Sequence, residues 1–560
     1  MRRIILVLLI ILLILTGCKK KPPEPVGPEK ITAVKTEGVP QGGYVSSFTV
    51  SGHDIFVYMP EDIMNANIIN YGYSAPLLLV FPDEKLERKK AVEFVCEKGI
   101  DRIAQNNGGA VVVVNPQEDW DKEEYGVYED VLAETMVGQT GFSHGLLYDA
   151  SRRQYYIFAS PAMTVAYGYG KGADYIGKHY IKETSGLSAM SSLGSNDITM
   201  TAAVLENLSV DPDIKDKNII VVSVKNSDSV NRHIERNSNQ FHQSDESFDQ
   251  IFEEYIEGWQ RWNGKVAESF SLKKSGLEMH THVFEVDTSA DNRAVSSGFH
   301  RIGAVVFRRK DSTGKKPLVL CFHGGGDTAL ATATIAGWPQ LARSEDFILC
   351  APEMHTLSTA TEIMAVVDKL KEIYEIDETR IYATGFSMGG IKTWDMYQEY
   401  PAVFAALAPM AGTVLVGRNS QFRKAPVLNE DVMVPVFYSG GQSSDLRELP
   451  VQSQDVVERI NYLFTVNKVP MPFEMSMARR SEWQDSVYGY QGDIVEEHVD
   501  PANPDSTTTI RYYYSEDGRI YTALCSITRH KHEIRPFTVD LAWQFMKKYS
   551  RVDGRIVISE

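Results

Sequence analysis

Short apolar runs rich in β-branched residues alternate with segments of helical spacing, and the same alternation is written twice along the chain. In the second half the order is GAVVFRR, KPLVLCFHGGG, DFILCAPE, a helical stretch from Glu362, RIYATGFSMGGIKTW, FAALAPMAG and VPVFYSGG. The first half follows with HDIFVYMP, APLLLVFPD, GAVVVVNPQ, a helical EDVLAETMV, MTVAYGYGKG, LSAMSSLGS and NIIVVSVKN. Strands that alternate with helices predict a mostly parallel sheet covered on both faces, so each half is expected to be a doubly wound α/β domain. Between Thr359 and Tyr374 the pattern is specific. Thr359 and Glu362 form a capping box, and Ile363, Val366, Val367, Leu370, Ile373 and Tyr374 fall on one helical face.

Earlier in the chain, SFDQIFEEYIEGWQRW places Phe248, Ile251, Phe252, Tyr255, Ile256 and Trp259 on one face. An apolar face of this kind reads as a late core helix of the first domain. The boundary is then expected in the polar TSADNRA, around residues 288 to 294, dividing the chain into domains 45–288 and 289–556. Within the second domain, residues 472–526 read as an insertion ending in a hairpin that turns at Asp517 and Gly518.

The first residues break the pattern. MRR, the unbroken apolar IILVLLIILLIL and the small-residue LTGC resemble a bacterial lipoprotein signal over residues 1–18, with Cys18 as the lipid-bearing residue. An apolar run of this length is short for a membrane span; the competing reading is an uncleaved anchor helix. On the lipoprotein reading, residues 19–44, including KKKPPEPVGPEK, form a stiff polar tether, and the protein sits on the bacterial cell envelope, anchored through Cys18 and exposed outside the cytoplasm.

Composition adds limits. A chain of 560 residues with 43% hydrophobic and 23% charged residues has enough apolar material for two large cores. Its formal net charge of -17 repels phosphate backbones and argues against a nucleic-acid partner. Beyond Cys18, the cysteines Cys96, Cys321, Cys350 and Cys525 show neither disulfide nor metal spacing, and Cys321 and Cys350 lie in predicted core strands. His280 and His282 share one face of a strand, but with no third ligand a surface pair is the favoured reading over a metal site.

Two GxSxG pentapeptides occur, around Ser143 and Ser387. A nucleophilic serine of this type sits on a tight turn from a strand into a helix, flanked by glycines that let the turn close. Ser387 has that context, with a strand-like run before it and IKTWDMYQEYP after; Ser143 follows a helical stretch and reads as a loop serine. The counterpart of Ser387 in the first half is Gly170, or Lys171 if the alignment slips by one. With no side chain to attack and with FPDEK where the second half has FHGGGD, the first domain reads as degenerate.

Acyl transfer also needs oxyanion donors, a base and an acid. His323 to Gly326 match a glycine-rich oxyanion loop, and the amide of Met388 follows the nucleophile. The late RHKHEIRPF offers His530 and His532, of which His532 is preferred as the base. After VPVFYSGG, the carboxylates Asp445 and Glu448 compete for the acid, and Asp445 is chosen because it comes first after the strand. The chain order Ser387, Asp445, His532 is that of α/β-hydrolases.

At HGGG, RIYATGFSMGGIKTWDMYQEYPAVFAALAPMAG and KHEIRPF, residues 295 to 550 resemble the secreted esterases grouped around polyhydroxybutyrate depolymerases and feruloyl esterases, with the related predicted peptidases of the same clan. With the internal repeat, this gives two tandem α/β-hydrolase-like domains, the first degenerate; the resemblance itself implies hydrolysis of a carboxylic ester through an acyl-enzyme. His532 would take the proton of Ser387, while Gly325 and Met388 hold the oxyanion. It implies no metal or organic cofactor and a partner that is an ester-bearing small molecule or polymer. The family's aspartate turn is replaced here by GGQSSDLRELP. Trp483, Tyr488, Tyr490 and Tyr512 are placed to line a cleft for a phenolic acyl group or a sugar, or to pack across strands. Competing functions are a peptidase of the same fold and a non-catalytic binding lipoprotein.

Overall fold

The computed structural model describes residues 26–31, 43–50, 52–60, 76–107, 109–123, 148–149, 154–155, 160–181, 200–262, 265–268, 275–287, 299–325, 329–353, 358–412 and 427–558. Cys18 and the lipoprotein signal, Ser143, EDVLAETMV and LSAMSSLGS lie outside the described residues. Among those described, no helix is long and apolar enough to cross a membrane.

Two large sheets repeat one topology. The first is built from β1 (Val26–Ile31), β2 (Gly43–Val50), β3 (His53–Pro60), β4 (Pro76–Phe81), β5 (Ala110–Val114), β6 (Ser160–Tyr169), β7 (Ala202–Glu206), β8 (Ile220–Val224) and β9 (Phe241–Gln243), in the spatial order β1-β2-β3-β5-β4-β6-β7-β8-β9. The second comprises β10 (Leu277–Asp287), β11 (Phe299–Arg309), β12 (Lys316–Phe322), β13 (Ile348–Pro352), β14 (Ile376–Phe386), β15 (Ala406–Met410), β16 (Val436–Gly441), β17 (Ile494–Val499), β18 (Thr507–Tyr514) and β19 (Ile520–Ile527), in the order β10-β11-β13-β12-β14-β15-β16-β19-β18-β17. In spatial order β2 to β9 and β10 to β19 match strand for strand, two antiparallel pairings and then parallel ones, and β18 and β17 extend the second sheet antiparallel beyond β19. Even the register shift at the start of the β4–β6 pairing recurs between β12 and β14.

Alternation along the central strands feeds two cores per sheet. Leu318, Leu320 and Phe322 enter one cluster and Val319 and Cys321 the other; Leu77, Leu79, Phe81 and Leu78, Val80 divide the same way in the first half. This is why the strands read as unbroken apolar runs. Helices cover these faces, among them α1 (Lys171–His179), α2 (Ala329–Ile335), α3 (Ala360–Ile373), α4 (Met388–Glu399), α5 (Gln454–Val466) and α6 (Pro536–Met546). The capping box at Thr359 forms, and Ile363, Val366, Val367 and Leu370 are buried, while Ile373 at the end of α3 is exposed.

Four expectations are corrected. The boundary lies before Leu277, because HTHVFEV belongs to β10, whose backbone pairs with β11 along its whole length. The tether of residues 19–44 contains β1, which pairs antiparallel with β2 and extends the first sheet. The helix from Phe248 ends at Ile256, its second turn a π-helix, and Trp259 opens a short strand; Phe248, Ile251, Phe252 and Ile256 enter the first core as expected. The hairpin at Asp517–Gly518 is present, with Ser515 and Arg519 closing it and Gly518 at a φ of 74°. Its second strand, β19, is an integral parallel strand beside β16 rather than part of an insertion.

Cys96, Cys321, Cys350 and Cys525 are buried, and burial pushes the Cys96 and Cys525 thiols up to about 12, which leaves those two inert as nucleophiles. A buried carboxyl behaves differently. Asp101 is 1% exposed, and desolvation pushes its pKa up to about 6. An acid raised in the folded state favours unfolding as it ionises, so this penalty is absent below about pH 4 and complete above about pH 7. Asp101→Asn is therefore expected to stabilise the first half at pH 7.5, by about 2 kcal/mol, and to leave it unchanged at pH 4; paired thermal melts check this.

Candidate active site

Ser387 stands between β14 and α4 with φ 54° and ψ -113°, a left-handed conformation that costs a residue other than glycine about 1–2 kcal/mol. The turn survives because it is over-determined. The Ser387 amide donates to Met410 O at 2.9 Å, and a Cβ on Gly389 would meet Phe322 O at 2.0 Å, so only glycine lets α4 leave the sheet at this angle. The strained turn holds the hydroxyl above the end of the sheet.

His532, 24% exposed, lies on the loop between β19 and α6, with its ring 4.8 Å from that of Phe386. Its Nε2 is 2.8 Å from Ser387 Oγ, and its Nδ1 is 2.7 Å from Glu448 Oε1. His530 does not share this site: it is buried, with Nε2 2.9 Å from Glu533 O.

The carboxylate on His532 is Glu448 and not Asp445. Asp445 sits in the exposed turn after β16, whereas Glu448 is 0% exposed and points back beneath the strand end. Its Oε2 accepts from Gly441 N at 2.6 Å, Ser444 Oγ donates to Oε1, and its backbone carbonyl accepts from Tyr438 OH at 2.6 Å. The left-handed residue Arg447, φ 55°, directly precedes it. Gly440 and Gly441 make room: a Cβ on Gly440 would lie 3.0 Å from Glu448 Cβ, and one on Gly441 would lie 2.4 Å from His530 O. The apolar Leu449-Pro450 that follows marks where the chain turns inward, and this was the sequence signal for Glu448.

Above the elbow, Gly324 and Gly325 approach so closely that added Cβ atoms would lie 3.2 Å from the Phe386 ring and 2.4 Å from Met388 Sδ. The oxyanion candidates Gly325 and Met388 are thus brought together at Ser387. Tyr488 and Tyr490 are too deeply buried to line a cleft. Tyr488 and Tyr490 are buried and donate to Cys525 O and Phe473 O, each at 2.7 Å; Trp483 Nε1 donates to Ser476 O, and Tyr512 OH to Glu496. Packing within the domain accounts for them. His282 bonds Tyr374 OH at 2.6 Å and His280 faces Glu278, and among the described residues no group of His, Cys, Asp and Glu could hold a metal.

The first half keeps the elbow without the nucleophile. Gly170 has φ 56° and ψ -122°, and its amide donates to Glu206 O at 2.9 Å, the counterpart of the Ser387–Met410 bond. Asp83 occupies the space above it: the Lys171 amide, counterpart of Met388, donates to Asp83 Oδ1 at 2.8 Å. A Cβ on Gly170 would lie 2.1 Å from that oxygen. Gly170→Ser in a Ser387→Ala background is therefore expected to take no fluorophosphonate label although folded, as shown by its circular dichroism.

No family model matches the chain. A bifunctional acetylxylan esterase/xylanase of Neocallimastix patriciarum is 30% identical over 131 residues, 21% of this chain and 20% of that protein. Poly(3-hydroxyalkanoate) depolymerase C of Paucimonas lemoignei is 32% identical over 115 residues, 17% of this chain and 28% of that one. The chain therefore spans less than a third of the length of either relative. Among solved structures, an acetyl xylan esterase from Aspergillus awamori is 14% identical with a TM-score of 0.33, covering 48% of this chain and 99% of its own. A stretch of this chain is thus similar to one protein named for acetylxylan ester cleavage and to another named for poly(3-hydroxyalkanoate) depolymerisation.

Proposed function

We propose that the second half is a serine hydrolase that cleaves carboxylic esters, with Ser387 as nucleophile, His532 as base and Glu448 as the acid that orients it. The observation that carries this reading is the continuous chain Ser387 Oγ, His532 Nε2, His532 Nδ1, Glu448 Oε1, at 2.8 and 2.7 Å. As Oγ bonds to the substrate carbonyl carbon, its proton passes to Nε2 and the carbonyl oxygen becomes an oxyanion between the amides of Met388 and Gly325. The collapse of that intermediate breaks the ester C–O bond, and His532 returns the proton to the leaving alcohol. Water then attacks the acyl-enzyme through the same base. Glu448 keeps Nδ1–H directed at itself and stabilises the imidazolium. The Lys171–Asp83 contact supports Met388 as a donor, since the matching amide already binds a carboxylate oxygen.

The ester belongs to a small molecule or a polymer, a reading supported by the names of both relatives. Fluorophosphonate labelling of the full chain, followed by hydrolysis of p-nitrophenyl acetate and butyrate beside aminoacyl peptides, tests the proposal. Label at Ser387 with ester turnover is expected. Peptide cleavage without ester turnover would assign a peptidase, and no label on folded protein would assign a binding role. We further propose that lipid at Cys18 holds the protein to the bacterial envelope, supported by the MRR, apolar and LTGC sequence. Incorporation of labelled palmitate that is absent from wild type, or that persists in Cys18→Ala, would exclude it.

A further inference from the structure

We propose that His323 and Glu353 are positioning residues that aim the Gly325 amide at the oxyanion, an inference that rests on the hydrolase reading above. Glu353 follows β13, is 2% exposed, and is fixed to β11 by its amide, which donates to Gly303 O at 2.9 Å. Its carboxylate grips both ends of the segment that carries the glycines. Oε1 accepts from the Ala329 amide at the start of α2 at 3.0 Å, and Oε2 lies 3.2 Å from His323 Nε2.

His323, 1% exposed, passes this constraint to the next peptide. Its Nδ1 is 2.8 Å from Gly324 O, and because a carbonyl only accepts, Nδ1 is the donor. Nε2 faces Oε2 at ion-pair distance, without the alignment of a hydrogen bond. The carbonyl of Gly324 and the N–H of Gly325 belong to one planar, trans peptide unit and point in opposite directions. Pinning that carbonyl to His323 therefore fixes where the Gly325 N–H points. The loop could otherwise rotate freely, since glycines constrain φ and ψ least.

The first half supplies a comparison. Pro82 stands where His323 does, and Asn115 stands where Glu353 does; Asn115 bonds both the N and O of Leu86, each at 3.0 Å. In both halves a side chain from the end of this strand braces the loop that follows the neighbouring strand. The imidazole that acts on the next peptide is confined to the half with a serine at the elbow.

The test compares an oxygen ester with its thionoester in full-length wild type, His323→Ala, Glu353→Ala and Glu353→Gln. Sulfur accepts hydrogen bonds weakly, so a misaimed amide harms the oxygen ester more. His323→Ala is expected to lower kcat on the oxygen ester about 30-fold with KM within about threefold, and to lower the oxygen-to-sulfur rate ratio at least about fivefold. Glu353→Ala should behave alike, and Glu353→Gln, which keeps an acceptor for Ala329 and a donor for Nε2, should stay within about threefold of wild type. Should Glu353→Ala fail to fold, His323→Ala decides, because it leaves the Ala329–Glu353 bond in place. Folded His323→Ala with wild-type kcat, or with equal losses on both esters, overturns the positioning role alone. Wild type that turns over neither ester and takes no label overturns the hydrolase reading and this proposal with it.

Discussion

Ser387→Ala is expected to lower kcat on a short acyl ester by about 10⁵-fold and to abolish fluorophosphonate labelling, with the melting temperature unchanged or raised. The possible rise follows from the elbow: removing Oγ leaves the left-handed backbone, but also removes a polar atom that the site must hold beside His532. His532→Ala should cost about as much in kcat, and the double variant little more, because a nucleophile without its base and a base without its nucleophile fail at the same step. Steady-state kinetics of the three variants check this. Additive losses would mean that Ser387 and His532 do not act as a unit, despite their 2.8 Å separation.

The second large effect separates two carboxylates three residues apart in the loop. Glu448→Gln is expected to lower kcat by about 10³- to 10⁴-fold, since an amide that presents its NH₂ to Nδ1 favours the wrong imidazole tautomer and leaves the imidazolium without a counter-charge. Asp445→Asn should leave kcat within about twofold, because Asp445 is exposed and the carboxylate bonded to the ring is Glu448. A reversed result, with Asp445→Asn inactive and Glu448→Gln active, would restore the sequence-based choice. Glu448→Asp is a sharper probe still. It retains the charge but shortens the reach, and Gly441 N and Ser444 Oγ are already bonded to the longer side chain.

What could be read from the chain and what could not follows from the range of the interactions involved. The elbow at Ser387 is local: strand, glycines and helix are contiguous, and steric need at Gly385 and Gly389 is written where it acts. Gly170 was legible for the same reason. The acid was not, because its identity depends on how far a side chain reaches across a loop closed by left-handed Arg447, and distance along the chain from β16 favoured Asp445. Strand pairing was equally hidden. A polar stretch at TSADNRA suggested a boundary, yet β10 is held to β11 by backbone bonds that carry no residue signature. The tyrosines illustrate the same limit: the acceptors of Tyr488 and Tyr490 come from Cys525 and Phe473, which only the folded chain brings close.

Asp83 also bears on history. A duplicated half that had lost only its serine could regain it by one substitution, but here the carboxylate oxygen stands 2.1 Å from where the new Cβ would be and already satisfies the Lys171 amide. Replacing Asp83 first leaves that amide without its acceptor and gains no nucleophile; replacing Gly170 first creates a clash. Each step is unfavourable alone, so the two positions are coupled, and sterics and hydrogen bonding at Asp83 both oppose a nucleophile in place of Gly170.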